Sequence, residues 1–111
     1  MKRLKPWLLP TGLYLLCLFL SGATSPPVSP KVHTVEISRM QFNPQVLVVS
    51  MGDTIEFVNK DMVTHDVTES SGKSWKSPAL ASGAKWRLVA RKTADYYCSY
   101  HPVMKGKIEV K

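Results

Sequence analysis

The chain has 111 residues, and its 15 Lys and Arg against 8 Asp and Glu give it a formal net charge of +7. This length limits it to one small domain or little more. Because the basic residues are scattered along the chain, they are more typical of a solvated surface than of a nucleic-acid site.

The first segment is typical of a secretory signal peptide. A basic start, Met1–Lys5, precedes an apolar stretch from Trp7 to Leu20 and small residues up to Ala23. We predict a signal peptide over residues 1–23, whose removal leaves 88 residues with a formal charge of +4, exported to the periplasm without stable membrane insertion. The alternative is an uncleaved membrane anchor, although the unbroken apolar core of residues 13–20 is well below the length of about 20 residues that spans a bilayer.

The next segment, residues 24–31, contains Pro26, Pro27 and Pro30 with serines between them. Such a composition is typical of a stiff, extended tether without a core of its own. We therefore place the start of the folded domain at residue 32.

From residue 32 to 111 the hydrophobic residues follow the period of β-strands, and turn residues such as Asn43-Pro44 and Met51-Gly52-Asp53 separate them. The predicted strands lie in residues 32–37, 46–49, 54–59, 67–68, 86–90, 93–98 and 106–110. No stretch has a convincing helical period with caps. The pattern predicts an all-β fold, a Greek-key sandwich or barrel of seven to eight short strands.

The strongest functional indication is the spacing of Cys98, His101 and Met104 between the last two predicted strands, with His65 after an earlier strand. Pro102 and the adjoining strands exclude a helix here, so the three residues lie in a tight loop. Cys98 is the only cysteine left after the leader is removed, and a lone thiol of an exported protein is an inert core residue, a liability or a ligand.

Thiolate, two imidazoles and a thioether are the ligands that hold one copper ion in a blue, electron-transferring site, so we predict that His65, Cys98, His101 and Met104 bind copper. The individual residues have ordinary alternatives. His65 alone would be a structural histidine, and Met104 alone a packing residue. Zinc is disfavoured because its sites rarely use methionine. We interpret His33, which is remote from this motif, as an ordinary exposed or packed residue.

The domain from about Val32 to Lys111 resembles a cupredoxin, a small blue copper protein of the plastocyanin, pseudoazurin and amicyanin group. The spacing of His101 and Met104 is most similar to that of amicyanin. The matching motifs are Phe42-Asn43-Pro44, Gly52-Asp53-Thr54, Asn59 with His65, Tyr96 before Cys98, and Lys105-Gly106 after Met104.

Two positions depart from the family pattern. Asp66 stands where relatives commonly have asparagine, and Tyr100 where they often have proline. We expect the backbone N–H of Asp66 to donate toward the Cys98 sulfur, and Ser99 to hydrogen-bond the Asp66 carboxylate. As a hypothesis, an ionised Asp66 favours Cu(II) and lowers the reduction potential.

The resemblance implies a monomeric electron carrier rather than an enzyme. It would exchange single electrons with redox proteins such as a periplasmic dehydrogenase or a cytochrome c, through the exposed edge of His101, with Lys60 and Lys105 at the rim. The alternatives are a copper chaperone or storage protein, a copper enzyme, which would need additional ligands, and a metal-free adhesive sandwich, which leaves the ligand spacing unexplained.

Overall fold

The computed structural model describes residues 29–111, together with Arg3 and Gly22. The predicted signal peptide, residues 1–23, lies outside the described residues except for Arg3 and Gly22, and the predicted tether, residues 24–31, lies outside them except for residues 29–31. Within the described part of the chain we find no helix with the length and hydropathy of a membrane span.

The described chain forms two four-stranded sheets that pack face to face, which confirms the predicted all-β sandwich. In order along the chain the strands are β1 (Val32–Ser38), β2 (Gln41–Asn43), β3 (Val46–Val49), β4 (Thr54–Asn59), β5 (Thr68–Glu69), β6 (Lys85–Val89), β7 (Ala94–Tyr97) and β8 (Lys105–Val110). One sheet has the order β2-β1-β4-β6 and the other the order β3-β8-β7-β5. Strands β1 and β4 are parallel, as are β3 and β8, so neighbours in space are distant in sequence.

Seven of these strands match predicted segments, and β2 is the addition. In β1 the inward-facing residues are Val35 and Ile37, which are fully buried, whereas Val32 is 55% exposed. The alternation of side chains across a strand fixes this phase: a register that buries residues 35 and 37 directs residues 32, 34 and 36 away from the core.

The core contains a group of aromatic rings between the two sheets. The Tyr96 ring meets Phe42 and Phe57 edge-on, with centroid distances of 4.8 and 5.4 Å. Gly106 lies directly opposite Tyr96 in the register of β7 and β8, and a Cβ atom there would overlap the tyrosine ring. Glycine at this position therefore lets the ring of Tyr96, which lies two residues before Cys98, approach the β8 backbone closely.

One end of the sandwich is closed by a hydrogen-bonded carboxylate. Asp53 accepts a hydrogen bond from the His33 ring, with an Nε2–Oδ2 distance of 2.8 Å, and others from the backbone N–H groups of Lys31 and Ser50. These bonds, the one from His33 foremost, lower the pKa of Asp53 to about 2. His33 is thus a structural residue remote from the predicted ligands, and the copper motif lies at the other end of β4.

A second carboxylate orders the loop after β5. Glu69 accepts hydrogen bonds from the Ser71 hydroxyl and from the backbone N–H groups of Ser71, Gly72 and Ser74. These hydrogen bonds, the one from the Ser71 hydroxyl foremost, lower the pKa of Glu69 to about 2. The loop therefore folds around this carboxylate rather than around apolar side chains.

Candidate metal centre

The loop from Cys98 to Met104 is closed by hydrogen bonds between the predicted ligands themselves. The His101 N–H donates to the Cys98 carbonyl at 3.1 Å, the Met104 N–H donates to the His101 carbonyl at 2.9 Å, and the Cys98 N–H donates to the Met104 carbonyl at 3.1 Å. The backbone groups of the three residues thus form a closed ring of hydrogen bonds, without the continuous turns of a helix. These three hydrogen bonds fix the shape of the loop.

His65 reaches the same place from the segment between β4 and β5. Its backbone pairs with that of Leu80 through two hydrogen bonds, with N–O distances of 3.1 and 2.8 Å. The buried Asn59 side chain donates to the carbonyls of Val63 and Leu80, both at 2.8 Å, and so ties the segment before His65 to the segment around Leu80. These contacts place the His65 ring fully inside the protein.

The donor atoms of His65, Cys98 and His101 converge, each within 4.8 Å of the others. Both Nδ1 atoms lie 3.7 Å from the Cys98 sulfur. With metal–nitrogen and metal–sulfur bonds of about 2.0 and 2.3 Å, as zinc forms with these donors, a 3.7 Å separation corresponds to an angle of about 120° at a bound ion. The three donors thus fit a trigonal arrangement around one metal ion.

Three of the four predicted ligands are removed from water. Cys98 and His65 are fully buried and Met104 is 3% exposed, whereas His101 is half-buried. The hydrogen bonds of the loop place Met104 beside His101 and Cys98. Because His101 is the member of the set with accessible surface, it is the contact between the centre and the solvent.

The carboxylate of Asp66 is hydrogen-bonded to Ser99, as predicted. It accepts hydrogen bonds from the Ser99 N–H at 2.7 Å, from the Ser99 hydroxyl and from the Thr68 hydroxyl at 3.3 Å, and the Lys76 ammonium lies 3.8 Å away. The backbone N–H of Asp66 points at the Cys98 sulfur, 3.4 Å from it. Both expected contacts are confirmed, and the 2% exposed Asp66 places a hydrogen-bonded carboxylate close to the metal centre.

A second carboxylate, Asp61, was missed by the sequence analysis. Its Oδ2 atom lies 2.8 Å from Nε2 of the His65 ring. Burial acts to raise the pKa of Asp61, but hydrogen bonds from the Met40 N–H, the His65 ring and the Arg39 N–H outweigh it and hold that pKa below its ordinary value. The only indication in the sequence is an acidic residue four positions before a predicted ligand, which by itself is common in loops.

Exposed apolar and basic side chains lie close in sequence to the predicted histidine ligands. Val103 is 88% exposed and Met62 92% exposed, and Lys60 and Lys105 are also exposed. Isolated apolar residues are normal on a surface, but Met62 lies three residues before His65 and Val103 two residues after His101.

Comparisons with known proteins agree with this geometry. The family model of copper binding proteins, plastocyanin/azurin family, matches residues 30–111. Amicyanin from Paracoccus denitrificans is 30% identical over 82 residues, which cover 68% of this chain and 63% of that protein. The chain thus spans a little less than two thirds of the length of that curated relative.

Solved structures give the same result. The Cu(I) form of an amicyanin variant superposes with a TM-score of 0.68 at 28% identity, over 72% of this chain and 82% of that one. The Cu-containing nitrite reductase from Thermus scotoductus superposes with a TM-score of 0.66 at 32% identity, over 71% of this chain but only 22% of the reductase. The likeness to the reductase is therefore confined to a small part of that chain.

Proposed function

Because the chain belongs to the plastocyanin/azurin family of copper-binding proteins, we propose that it is a blue copper electron carrier that holds one ion through His65, Cys98, His101 and Met104. The observation that supports this proposal best is the convergence of one thiol and two imidazoles, with Cys98 and His65 fully buried. When bound, copper supplies one-electron chemistry between Cu(I) and Cu(II).

The protein's own part is to keep the ligands still and dry. The ring of hydrogen bonds through Cys98, His101 and Met104 fixes the loop, and the pairing with Leu80 fixes His65. The Asp66 N–H, 3.4 Å from the sulfur, stabilises the negative charge of the thiolate. A site whose donors barely move between oxidation states exchanges electrons with little reorganisation, which is what a carrier requires.

Electrons would enter and leave at the half-buried edge of His101. Apolar Val103 and Met62 would exclude water from the contact, and the basic rim of Lys60 and Lys105 would steer acidic partners. We propose exported redox proteins as those partners, such as a periplasmic dehydrogenase or a cytochrome c, and a monomeric carrier. Residues 1–23 support a place in the periplasm, since their order of basic, apolar and small residues is typical of an export signal.

The competing function is a copper chaperone or storage protein. Such a protein passes metal on and requires an open site rich in thioethers, whereas the donors here include two fully buried residues, His65 and Cys98. A nitrite-reducing activity is not proposed, because the chain spans 22% of the reductase that it resembles.

The test is the visible spectrum of the purified protein loaded with one equivalent of copper. We expect an intense blue colour that ascorbate bleaches and mild oxidants restore, and loss of that colour in Cys98→Ser. A colourless protein that binds Cu(I) tightly, or that takes up several ions per chain, would support storage or transport of copper instead.

A further inference from the structure

The side chain of Asp61 joins three parts of the protein. Its Oδ1 atom accepts the Arg39 N–H at 2.8 Å, and its Oδ2 atom accepts the Met40 N–H at 3.0 Å and lies 2.8 Å from Nε2 of His65. Its own backbone N–H donates to the Asn59 side chain at 2.9 Å. Both oxygens and the backbone of this residue are therefore engaged.

This arrangement selects one form of the His65 ring. Both Asp61 oxygens accept backbone N–H groups, and Oδ2 also faces Nε2 of His65 at 2.8 Å, so the carboxylate acts as the acceptor in this contact and Nε2 of His65 carries the proton. In a neutral imidazole the other nitrogen, Nδ1, then has a free lone pair. That nitrogen is the one that faces the Cys98 sulfur at 3.7 Å.

The same carboxylate stabilises a strained turn on the surface. Arg39 and Met40, between β1 and β2, have φ angles of 52° and 60°, in the left-handed region that side chains other than glycine rarely adopt. Asp61 accepts the N–H groups of both residues. Since Met40 is 41% exposed, a single carboxylate connects a surface turn to a ligand that is itself fully buried.

We propose that Asp61 is a positioning residue of the copper centre: it holds His65 in the tautomer that presents Nδ1 to the metal, and it couples that ligand to the Arg39–Met40 turn. This inference rests on the proposed copper site, with His65 as a ligand. Carboxylates that orient metal-bound histidines in this way typically contribute 10-fold to 100-fold to metal affinity.

The test uses Asp61→Ala, which removes the acceptor, and Asp61→Asn, which keeps one oxygen but no charge. Nitrogen NMR of the metal-free protein reports the His65 tautomer directly. We expect a single Nε2–H form in the wild type, a mixture in Asp61→Ala, and a copper affinity lower by about 10-fold to 100-fold in Asp61→Ala. Asp61→Asn should fall between the two, because its amide oxygen still accepts from His65 while its NH₂ group opposes the Arg39 N–H.

Asp95→Ala is the matched control. Asp95 is exposed on β7, and among the described residues its side chain makes no hydrogen bond or ion pair, so the same truncation should change neither the tautomer nor the affinity. The turn supplies a second measurement: on loading with diamagnetic Cu(I), the Met40 amide signal should shift in the wild type and much less in Asp61→Ala.

The outcomes separate this inference from the proposed function. If the wild type is blue while Asp61→Ala keeps one tautomer and binds copper within about twofold of the wild type, the positioning role is wrong and the carrier function stands. If the wild type is not blue, the copper site itself is wrong, whatever the tautomer. Should Asp61→Ala fail to fold, two other results would overturn the role. One is a mixture of His65 tautomers in the wild type, and the other is an Asp61→Asn variant with the same tautomer and the same copper affinity as the wild type.

Discussion

Replacing Asp66 by asparagine should raise the reduction potential of the copper centre. The carboxylate accepts two hydrogen bonds from Ser99 and one from Thr68, which an ionised group does best. Its negative charge stabilises Cu(II) more than Cu(I), because the oxidised centre carries one more positive charge. Asparagine is nearly isosteric and keeps the backbone N–H that points at the Cys98 sulfur, so the substitution removes the charge with little change of shape.

The size of the effect follows from the distances. Asp66 accepts a hydrogen bond of 2.7 Å from Ser99, the residue that adjoins Cys98. For a separation of roughly 7 Å between its charge and the metal centre, the interaction with one unit of charge is about 2 kcal/mol at an effective dielectric constant of about 20. At 2.3 kcal/mol per 100 mV, this corresponds to about 100 mV. The Lys76 ammonium, 3.8 Å from the carboxylate on a side chain that is 54% exposed, offsets part of it, and we expect a rise of about 50 to 100 mV.

Protein-film voltammetry of the wild type, Asp66→Asn and Asp95→Asn measures this directly. Asp95→Asn removes the same charge from an exposed position three residues before Cys98 and should shift the potential much less, because water screens it. Lys76→Gln should lower the potential, since it leaves the Asp66 charge less balanced. A potential for Asp66→Asn that is unchanged, or lower than that of the wild type, would refute the electrostatic reasoning.

Three further predictions concern stability and partners. The pKa values of Asp53 and Glu69 are about 2 in the folded protein, against ordinary values of 3.8 and 4.5. The stabilisation that these two carboxylates provide is therefore complete above about pH 5 and is lost as the pH falls toward 2. The melting temperature should fall across that window, and the fall should be smaller in Asp53→Asn. Tyr96→Phe should raise the free energy of unfolding by about 1 kcal/mol and leave the visible spectrum unchanged, because the hydroxyl is buried without a hydrogen-bond partner among the described residues; a lower melting temperature would contradict this. Electron exchange with an acidic partner should slow as ionic strength rises, and less steeply in Lys60→Gln with Lys105→Gln, whereas a flat salt profile in the wild type would remove electrostatic steering.

The features that sequence predicted well are local or depend on a short spacing. Alternating apolar residues indicated β4 and β8, and the spacing of Cys98, His101 and Met104 indicated a tight loop between two strands, which the structure contains between β7 and β8. His65 was predicted from chemistry rather than pattern, because a blue copper site needs a second imidazole.

The features that sequence did not predict depend on contacts between distant segments. Strand β2 has three residues, too few for a periodic pattern, and it exists because it pairs with β1 across the Arg39–Met40 turn. The role of Asp61 depends on that turn folding back over a loop 21 residues later. Neither contact has a local pattern, so both become visible only when the segments are assembled.

Asp61 and Asp66 act on different ligands, and the affinity for Cu(I) separates their roles. Cu(I) bound to a thiolate carries the same net charge as the thiol that it replaces, whereas Cu(II) adds one positive charge. Removing the Asp66 charge should therefore weaken Cu(II) binding and leave Cu(I) binding nearly unchanged, which is why the potential rises. Asp61 hydrogen-bonds the His65 ring itself, so its loss misplaces a donor and weakens binding of both oxidation states. A variant of Asp61 that lost affinity for Cu(II) alone would be acting through its charge rather than through the orientation of His65.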